Sequence, residues 1–451
     1  MVGLFYFLDG RREAAQNHEA DGSALSLSLI AARIQSGDNP RPASIRNPAQ
    51  FCRSTSFTLT FFFVLLLSFA GSLASVLTMR GGYFFSHEVF HFTTRDNLWL
   101  ALGGGVTYVA GALPSHRLAV RFGERRVLLA SMLAQMACLG GLIVWSEPAV
   151  FVACQLVFQL GNGLMWPVVE SYVSAGRSPL ETARALGRFN VTWSSTVPTG
   201  VMLSGPIIEH GGTWLFGAAL IGFVVCLASA PWLPARPAHL SHDAPERLDP
   251  THSLRYQRLL RSSRWLLLFG YTIFFLLPPL MPQLFEDMGH DVATATAVAS
   301  AIEWARFATF TAMYLTTRWH NRVGLLALCL VMLPLTFVGI LVSAAMFKST
   351  VMVVAFSLAF GVVECLIYYA ALYYGMVVLN ASVDAGGAHE GLIGLGYTLG
   401  PAAALVGQQL VHVSPMFRQP WGEMIALVPM AVVFIVGAAR PLWQLRKGAS
   451  L

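Results

Sequence analysis

The chain has 451 residues and a formal net charge of +6, yet only 12% of its residues are charged and 55% are apolar. In soluble globular proteins about a quarter of the residues are charged, so this composition excludes that class. The apolar runs are about 17 to 25 residues long, which is the length that an α-helix needs to cross a bilayer. A transmembrane β-barrel is excluded because its strands are short and alternate in polarity.

Twelve apolar segments follow one another along the chain, and each is long enough to form a transmembrane helix. They lie at about 57–79, 97–115, 127–146, 149–173, 187–208, 214–233, 265–285, 293–316, 323–346, 349–375, 389–413 and 421–441. We therefore predict an all-α membrane protein with twelve transmembrane helices in two six-helix bundles related by pseudo-symmetry.

The longest polar segment between the spans, about 234–264, holds four prolines and six arginines and follows the sixth span. It divides the chain into two groups of six spans. The predicted organisation is a disordered cytoplasmic lead at 1–56, an N-terminal bundle at 57–233, a cytoplasmic linker at 234–264, a C-terminal bundle at 265–441 and a cytoplasmic tail at 442–451.

Basic residues outside the spans are distributed unequally between the two faces. One face has 21 lysines and arginines, four of them in the loop 117–126 between spans two and three, and the other face has four. Positive charge marks the cytoplasmic face, so we expect a protein of the cell (inner) membrane with both termini in the cytoplasm. The basic pI of about 9.1 then reflects topology and contact with anionic lipid, and not nucleic-acid binding.

The two groups of six spans resemble each other weakly. The fourth span contains Gly161-Asn-Gly163 and the tenth contains Gly361, while the fifth and eleventh both carry glycines and prolines. The loop 317–322 occupies the place in the second group that the arginine loop 117–126 occupies in the first. Repeats of this kind, with a binding site near the middle of the membrane, are typical of secondary transporters.

The segment between spans two and three reads Gly111-Ala-Leu-Pro-Ser-His-Arg-Leu-Ala-Val-Arg-Phe-Gly-Glu-Arg-Arg126 and resembles the signature loop of the major facilitator superfamily of secondary transporters. That loop has a glycine, then aspartate, arginine, glycine and a basic pair; here Val120 stands where the aspartate is expected. The matching positions are Arg121, Gly123, Arg125 and Arg126. The stretches 166–170 and 184–190 are similar to the family's region of spans four and five. The resemblance covers about 57–441 and implies two bundles that rock about a central cavity.

Three ionisable residues lie deep in the predicted spans. A charged side chain in the hydrocarbon region costs about 2.5 to 3.5 kcal/mol or more, so each is a candidate functional residue. Glu303 and Arg306 are three residues apart in span eight and share one helix face, and Glu364 lies near the middle of span ten. The resemblance implies that both helices line the cavity, where the three residues could bind a polar or charged substrate. The alternative is a Glu303–Arg306 salt bridge that only holds helices together.

Glu364 has two interpretations of its own. Burial without a partner favours the protonated form of a carboxyl, so an unpaired Glu364 could exchange a proton and couple transport to a proton gradient. The alternative is a glutamate that is hydrogen-bonded to Tyr368 or to a backbone carbonyl.

Glu170 and Glu390 lie nearer the cytoplasmic ends of spans four and eleven. We predict that they pair with the arginines at 117–126 and 184–188 when the cavity is closed on the inside. The alternative is a pair of solvated carboxylates at helix ends. The predicted gate residues are Gly111, Arg121, Gly123, Arg125, Arg126, Glu170, Arg184 and Glu390.

Spans four and five carry a set of polar and aromatic residues that includes Asn162, Asn190 and Trp193. Ligand cavities are largely apolar with a few placed polar groups, so this set could contribute to substrate binding. Hydrogen bonds between helices are an equally good explanation of the amides.

One motif suggests a different function. His87-Glu-Val-Phe-His91 fits H-E-x-x-H, in which two histidines one helical turn apart bind zinc and the glutamate acts as a base. The motif falls in the short outward loop between spans one and two, and the sequence shows no third ligand. A membrane zinc hydrolase is therefore a minor alternative.

These patterns favour a secondary transporter that moves a small organic solute by alternating access coupled to protons. We expect a monomer that contacts a small-molecule substrate and membrane lipid, with no cofactor, no metal site, no nucleic-acid partner and no enzyme activity. A sensor built on a transporter fold is the remaining alternative.

Overall fold

The structure, a computed structural model, describes residues 48–177, 179–237, 250–316, 318–378 and 383–447, and every regular element in these ranges is a helix. The α-helices are α1 (Pro48–Phe90), α2 (Thr94–Phe122), α3 (Glu124–Val144), α4 (Pro148–Ser174), α5 (Pro179–Gly211), α6 (Trp214–Ser229), α7 (Pro250–Glu286), α8 (Val292–Ala299), α9 (Ala301–Leu315), α10 (Val323–Ala345), α11 (Thr350–Val378), α12 (Val383–Gln409) and α13 (Trp421–Lys447). Short 3₁₀ helices lie at Ala230–Trp232, Leu410–His412 and Pro415–Phe417.

The chain divides into two compact units, Met1–Thr60 and Phe61–Leu451, and all contacts described below lie within the second. Of the predicted lead, residues 1–47 lie outside the described ranges, as do 238–249 of the predicted linker and 448–451 of the predicted tail. The predicted domain boundaries stay predictions.

The described helices confirm a multi-pass membrane protein but only part of the predicted span count. Nine of them are long and apolar enough to cross a membrane. The fifth, eighth and eleventh predicted spans, which correspond to α5, to α8 with α9, and to α12, are not among the nine. These helices pack mainly against other helices, since α5 contacts α8 and α9 while α12 contacts α2 and α7. A helix surrounded by protein needs fewer apolar residues than one that faces lipid.

In eight of the nine apolar helices, half or less of the most apolar window is buried inside the protein. The remaining faces carry large exposed apolar side chains, which a soluble protein of this size would not display over so wide a surface. The exception is α7, whose window is 94% buried. It is enclosed by α11, α12 and α13 and forms the centre of the second half.

The junction between α2 and α3 differs from the predicted loop at 117–126. Helix α2 continues to Phe122 and α3 begins at Glu124, so a single residue, Gly123, separates them. Its φ of +89° is a conformation that favours glycine, which explains why the two helices meet there. We call the side of the bundle that carries Gly123 the junction side, and the side that carries the α1–α2 turn at 91–93 the opposite side.

Helix α1 extends eleven residues beyond the predicted end of span one, to Phe90. Arg80 therefore lies within the helix and not in an outer loop. The next helix starts at a capping box, in which Thr93 Oγ1 accepts from the backbone N–H of Asp96 at 3.3 Å and Asp96 Oδ2 accepts from the N–H of Thr93 at 2.9 Å. This box fixes the turn between the two helices.

The eighth span is interrupted at Ser300, where α8 ends and α9 begins. The Ser300 hydroxyl donates to the carbonyl of Ala297 at 2.6 Å, and such back-bonding competes with the regular helical ladder. The interruption lies one turn before Glu303, which is placed in the first turn of α9.

The two halves of the molecule, α1–α6 and α7–α13, meet along two main helix pairings. Helix α2 packs against α12, and α5 packs against α8 and α9. Contacts of α4 with α12 and of α2 with α7 are smaller. The second and fifth spans of one half thus meet the eleventh and eighth spans of the other, while the pseudo-symmetry of the two halves stays a prediction.

Candidate functional site

A cavity lies between the two halves and has a volume of about 830 Å³, its open mouth included. Its wall is built from both halves, with α1, α2, α4 and α5 on one side and α7, α9, α11 and α12 on the other. The wall is largely apolar and aromatic with a few charged groups, as is typical of small-molecule sites. The predicted site residues among its lining are Asn162, Glu170, Trp193, Glu303, Arg306 and Glu390.

Four charged side chains form an ion cluster, which we define as Arg80, Glu303, Arg306 and Glu364. Arg306 Nη1 donates to Glu303 Oε2 at 2.8 Å, and Arg306 Nε lies 2.6 Å from Glu364 Oε2. Arg80 Nη2 lies 3.8 Å from Glu303 Oε1. The three residues predicted from sequence therefore come together, and two cations balance two anions. Buried charges are tolerated when they are paired in this way.

The structure corrects the interpretation of Glu364 as an unpaired carboxyl. It contacts Arg306 and is nearly fully buried, and it does not hydrogen-bond to Tyr368. The nearby phenol is that of Tyr271, to which Arg306 Nη2 donates at 3.3 Å. Protonation of Glu364 would break its buried ion pair with Arg306. The argument that an unpaired Glu364 could exchange a proton therefore no longer holds.

Arg80 is the residue of the ion cluster that sequence reasoning missed. Its guanidinium carbon lies 4.3 Å from the centre of the Phe274 ring, and that of Arg306 lies 4.7 Å from the same ring. Two cations thus flank one aromatic side chain from α7, an arrangement that stabilises guanidinium groups away from bulk water. Arg80 has the weaker pairing of the two, with one carboxylate at 3.8 Å and a side chain that is 16% exposed.

A second group on the junction side of the ion cluster, which we call the carboxyl pair, consists of Glu170 and Glu390. These side chains come from α4 and α12, on different halves, and both line the cavity. The Tyr108 hydroxyl on α2 donates to Glu390 Oε2. Both glutamates are buried, with relative exposures of 1% and 5%.

We predicted that Glu170 and Glu390 pair with the arginines at 117–126 and 184–188. The structure does not contain these ion pairs among the described residues. Arg125 Nη1 donates to the carbonyl of Leu233 at 3.1 Å, and Arg188 Nε donates to the Tyr314 hydroxyl at 3.4 Å. Arg121, Arg126 and Arg184 are exposed on the surface. The helices carry these arginines outward at the junction side while Glu170 and Glu390 point inward. A gating role for the predicted residues stays a prediction.

Gly111 has a packing role in this structure. A side chain there would meet backbone atoms of Leu160 and Leu164 on α4. Glycine lets α2 and α4 approach closely, as small residues do between membrane helices. This contact holds the first half together next to the cavity.

The amides of α4 form a network. Asn162 Oδ1 accepts from the Ser75 hydroxyl at 3.1 Å, and its Nδ2 donates to Gln159 Oε1 at 3.2 Å. Gln155 Nε2 donates to the carbonyl of Thr78 at 2.8 Å. Most of these bonds join α1 to α4, so interhelical hydrogen bonding accounts for the amides, although Asn162 also reaches the cavity wall.

Trp193 lies in the wall beside the ion cluster. Its indole N–H donates to Asn190 Oδ1 at 3.0 Å, and its ring centre lies 5.4 Å from the guanidinium carbon of Arg306. Asn190 is fully buried and positions the indole from behind, with its Nδ2 making no hydrogen bond to any described residue.

The H-E-x-x-H segment does not have the geometry of a zinc site. Helix α1 ends at Phe90, and His91 follows with a φ of +56°, so the two histidines do not share a helical face. His87 Nε2 lies 3.1 Å from Glu286 Oε2 on α7, and its Nδ1 lies 2.9 Å from the carbonyl of Phe92. Within the described residues, no three His, Cys, Asp or Glu side chains are grouped as metal ligands.

His87–Glu286 is one of several contacts that join the halves on the opposite side. The hydroxyls of Tyr83 and Tyr397 lie 3.1 Å apart, and Gln159 Nε2 donates to Tyr397 at 2.9 Å. Gln419 Nε2 donates to Thr94 Oγ1 at 3.3 Å. The cavity is therefore bounded by different cross-half contacts at its two ends.

This molecule is a multi-pass helical bundle with a charged cavity between its two halves. Such an arrangement is typical of membrane transport proteins. The family model described as Major Facilitator Superfamily matches residues 47–405. The chain therefore belongs to the major facilitator superfamily, and its resemblance to that family in sequence is confirmed.

A search of solved structures adds a likeness in fold. The crystal structure of the human organic anion transporter MFSD10 (TETRAN) matches with a TM-score of 0.57 and 16% sequence identity, over 86% of this chain and 99% of that one. At this identity the likeness shows the fold alone. No curated protein sequence matches the chain.

Proposed function

We propose that the protein is a secondary transporter that moves a small organic anion through the cavity by alternating access, coupled to protons. The observation that carries the proposal is the ion cluster, because three of its members, Arg80, Glu303 and Arg306, line the cavity and come from both halves. A ligand that contacts this cluster also contacts both halves, so its binding can change how they are arranged.

An anionic solute suits the cavity because Arg80 has the weakest ion pairing of the four residues in the ion cluster. Its only ion-pair contact among the described residues is the 3.8 Å approach to Glu303, whereas Arg306 has two closer carboxylates. The aromatic wall around Phe274 and Trp193 would accommodate the apolar part of the solute. The structural likeness to a human organic anion transporter supports the same substrate class.

Alternating access is supported by the two ends of the cavity. The Tyr83–Tyr397 and His87–Glu286 contacts close the opposite side, while the hydrogen bond from Tyr108 to Glu390 joins the halves on the junction side. Breaking one set while the other remains would expose the cavity to one side of the membrane at a time. The distribution of basic residues supports a cytoplasmic location for the junction side, in the cell (inner) membrane.

The first experiment is a thermal-shift screen of the purified protein with organic anions, followed by flux measurements in proteoliposomes with any ligand that raises the melting temperature. We expect uptake to respond to an imposed pH gradient. Arg80→Gln should abolish both the thermal shift and the flux. Arg95→Gln is the matched control, because Arg95 is exposed and lies outside the cavity wall.

Three outcomes would contradict the proposal in different ways. Binding without flux would favour the sensor alternative. Flux that does not respond to the pH gradient would contradict proton coupling. Thermal stabilisation by neutral or cationic solutes only would contradict an anionic substrate.

A further inference from the structure

Acidic side chains outnumber basic ones around the cavity. In the ion cluster, two arginines face two glutamates. The carboxyl pair adds two more glutamates, and among the described residues no lysine, arginine or histidine lies within ion-pair distance of either. Two arginines therefore stand against four glutamates. A buried carboxylate without a cationic partner is costly, so the junction end of the cavity favours either a positively charged ligand group or a proton.

Glu170 is the less satisfied member of the carboxyl pair. It lines the cavity with a relative exposure of 1%, and its Oε2 makes no hydrogen bond to any described residue. Glu390, in contrast, accepts a hydrogen bond from Tyr108. An ionised carboxylate only accepts hydrogen bonds, so the ligand group that satisfies Glu170 has to be a donor. A donor that is also a cation neutralises the charge as well.

The walls near the carboxyl pair suit an ammonium group. Trp166 lies one helical turn before Glu170 and also lines the cavity. Tyr368 lines it too, and its ring centre is 4.8 Å from that of His389, the residue before Glu390. Aromatic faces attract cations and stabilise them away from bulk water. The junction end therefore combines carboxyl oxygens with aromatic faces.

Contacts between α1 and α4 give the separation of this end from Arg80. The Ser75 hydroxyl donates to Asn162 at 3.1 Å, so these two residues lie at the same level. Arg80 is five residues beyond Ser75 towards the opposite side, and Glu170 is eight residues beyond Asn162 towards the junction side. At the helical rise their backbones are about 20 Å apart along the axis. Side chains lean towards the start of their own helix, so these two lean towards each other, which leaves about 10 Å between the charged groups.

We infer that the transported solute is amphoteric: its anionic group binds Arg80, and an ammonium group about 10 Å away binds the carboxyl pair at Glu170. The inference rests on the proposed function, because it adds a second charged group to the proposed organic anion. Such a solute contacts α1 at its anionic end and α4 and α12 at its cationic end, so it bridges the two halves along the length of the cavity.

The test measures the affinity of the purified wild-type protein for matched probes by isothermal titration calorimetry at neutral pH. Octanoate carries only the anionic group, octylamine carries only the ammonium group, and ω-aminooctanoate carries both at the ends of an extended chain of matching length. We expect ω-aminooctanoate to bind about tenfold more tightly than either single-charge probe, as a buried charge-assisted hydrogen bond typically allows. γ-Aminobutyrate is too short to reach both ends and should show no advantage over butyrate.

Glu170→Gln should remove the advantage of ω-aminooctanoate over octanoate. Its affinity for octanoate should stay as in the wild type, which also shows that the variant is folded. Arg80→Gln should weaken the binding of both probes. The matched control is Glu423→Gln, which removes another buried carboxyl, on α13, that does not line this cavity. It should retain the full advantage.

Equal wild-type affinities for ω-aminooctanoate and either single-charge probe would overturn the inference, and so would an advantage that survives Glu170→Gln or that γ-aminobutyrate shares. The comparison of chain lengths uses the wild type alone, so it decides the question even if Glu170→Gln does not fold. Absence of ω-aminooctanoate binding would overturn the inference alone, because the anion screen and the flux measurements decide the proposed function.

Discussion

The ion cluster and the carboxyl pair both lie at the cavity between the two halves, but their buried acidic groups have different partners. Arg80, Glu303, Arg306 and Glu364 balance one another with guanidinium groups that stay protonated at any physiological pH. Glu170 and Glu390 make no ion pair with any described residue, and the Tyr108 hydroxyl donates to Glu390. A competing ligand charge can therefore break the ion pairs of the first group, whereas the second group has no ion pair to break.

The largest effect should come from removing the centre of the ion cluster. Arg306→Met leaves two buried carboxylates with only the distant Arg80, and removing one partner of a buried ion pair typically costs about 3 to 5 kcal/mol. We expect a loss of this size in the free energy of unfolding, measured by titration with SDS, together with loss of flux. Arg95→Met, at an exposed position, is the control. Equal losses of unfolding free energy in Arg306→Met and Arg95→Met would contradict a stabilising role of the ion cluster.

A smaller loss is expected for Glu364→Gln. The substitution keeps the shape of the side chain but leaves the ion cluster with one excess positive charge and a weakened bond from Arg306, at a cost of about 1 to 3 kcal/mol. Solute flux should be abolished, since the balance of charge around the substrate is changed. Wild-type flux in this variant would contradict a role of the ion cluster in transport.

Tyr108→Phe should have a smaller effect. The variant loses one hydrogen bond to Glu390, worth about 1 kcal/mol in the free energy of unfolding, which SDS titration measures. A loss as large as that of Arg306→Met would contradict this ranking.

The smallest effect is expected for Glu170→Gln, although the same exchange at Glu364 is costly. Glu170 makes no ion pair with any described residue, so its replacement by a neutral group of similar shape should change the free energy of unfolding by less than about 1 kcal/mol. The two Glu→Gln variants, measured side by side by SDS titration, compare the carboxyl pair with the ion cluster directly. A loss at position 170 as large as that at 364 would contradict this difference.

Much of the fold could be predicted from the sequence because lipid imposes strong constraints on helix length and polarity. The two groups of spans, the family and the meeting of Glu303 with Arg306 followed from hydropathy and helical spacing. The weakest predictions concerned α5, α8 with α9, and α12, where protein neighbours replace lipid and the apolar signal is lower. The interruption at Ser300 has no signature in the apolar pattern.

The candidate site was predicted less completely, and Arg80 shows why. A cation after an apolar run suggests the end of a span, but here the run resumes as Gly81-Gly-Tyr-Phe-Phe85 and α1 continues to Phe90. That resumption was the available signal. The placement of Glu170 and Glu390 in one cavity wall had no such signal, since it depends on how α4 and α12 meet. Opposite charges in the sequence suggested arginine partners, and only the packing of the helices shows that these arginines face outward.

The electrical neutrality of the ion cluster has a consequence for energetics in a living cell. Two arginines and two glutamates that move together carry no net charge through the electric field of the membrane, so the resting voltage does no work on their motion. That voltage does about 2.3 kcal/mol of work on each elementary charge per 100 mV. A cycle that carries one proton would therefore be electrogenic with a neutral solute, and electroneutral when a monovalent anion crosses in the same direction. Patch-clamp or dye measurements of voltage dependence would read the charge of the cargo directly from the currents.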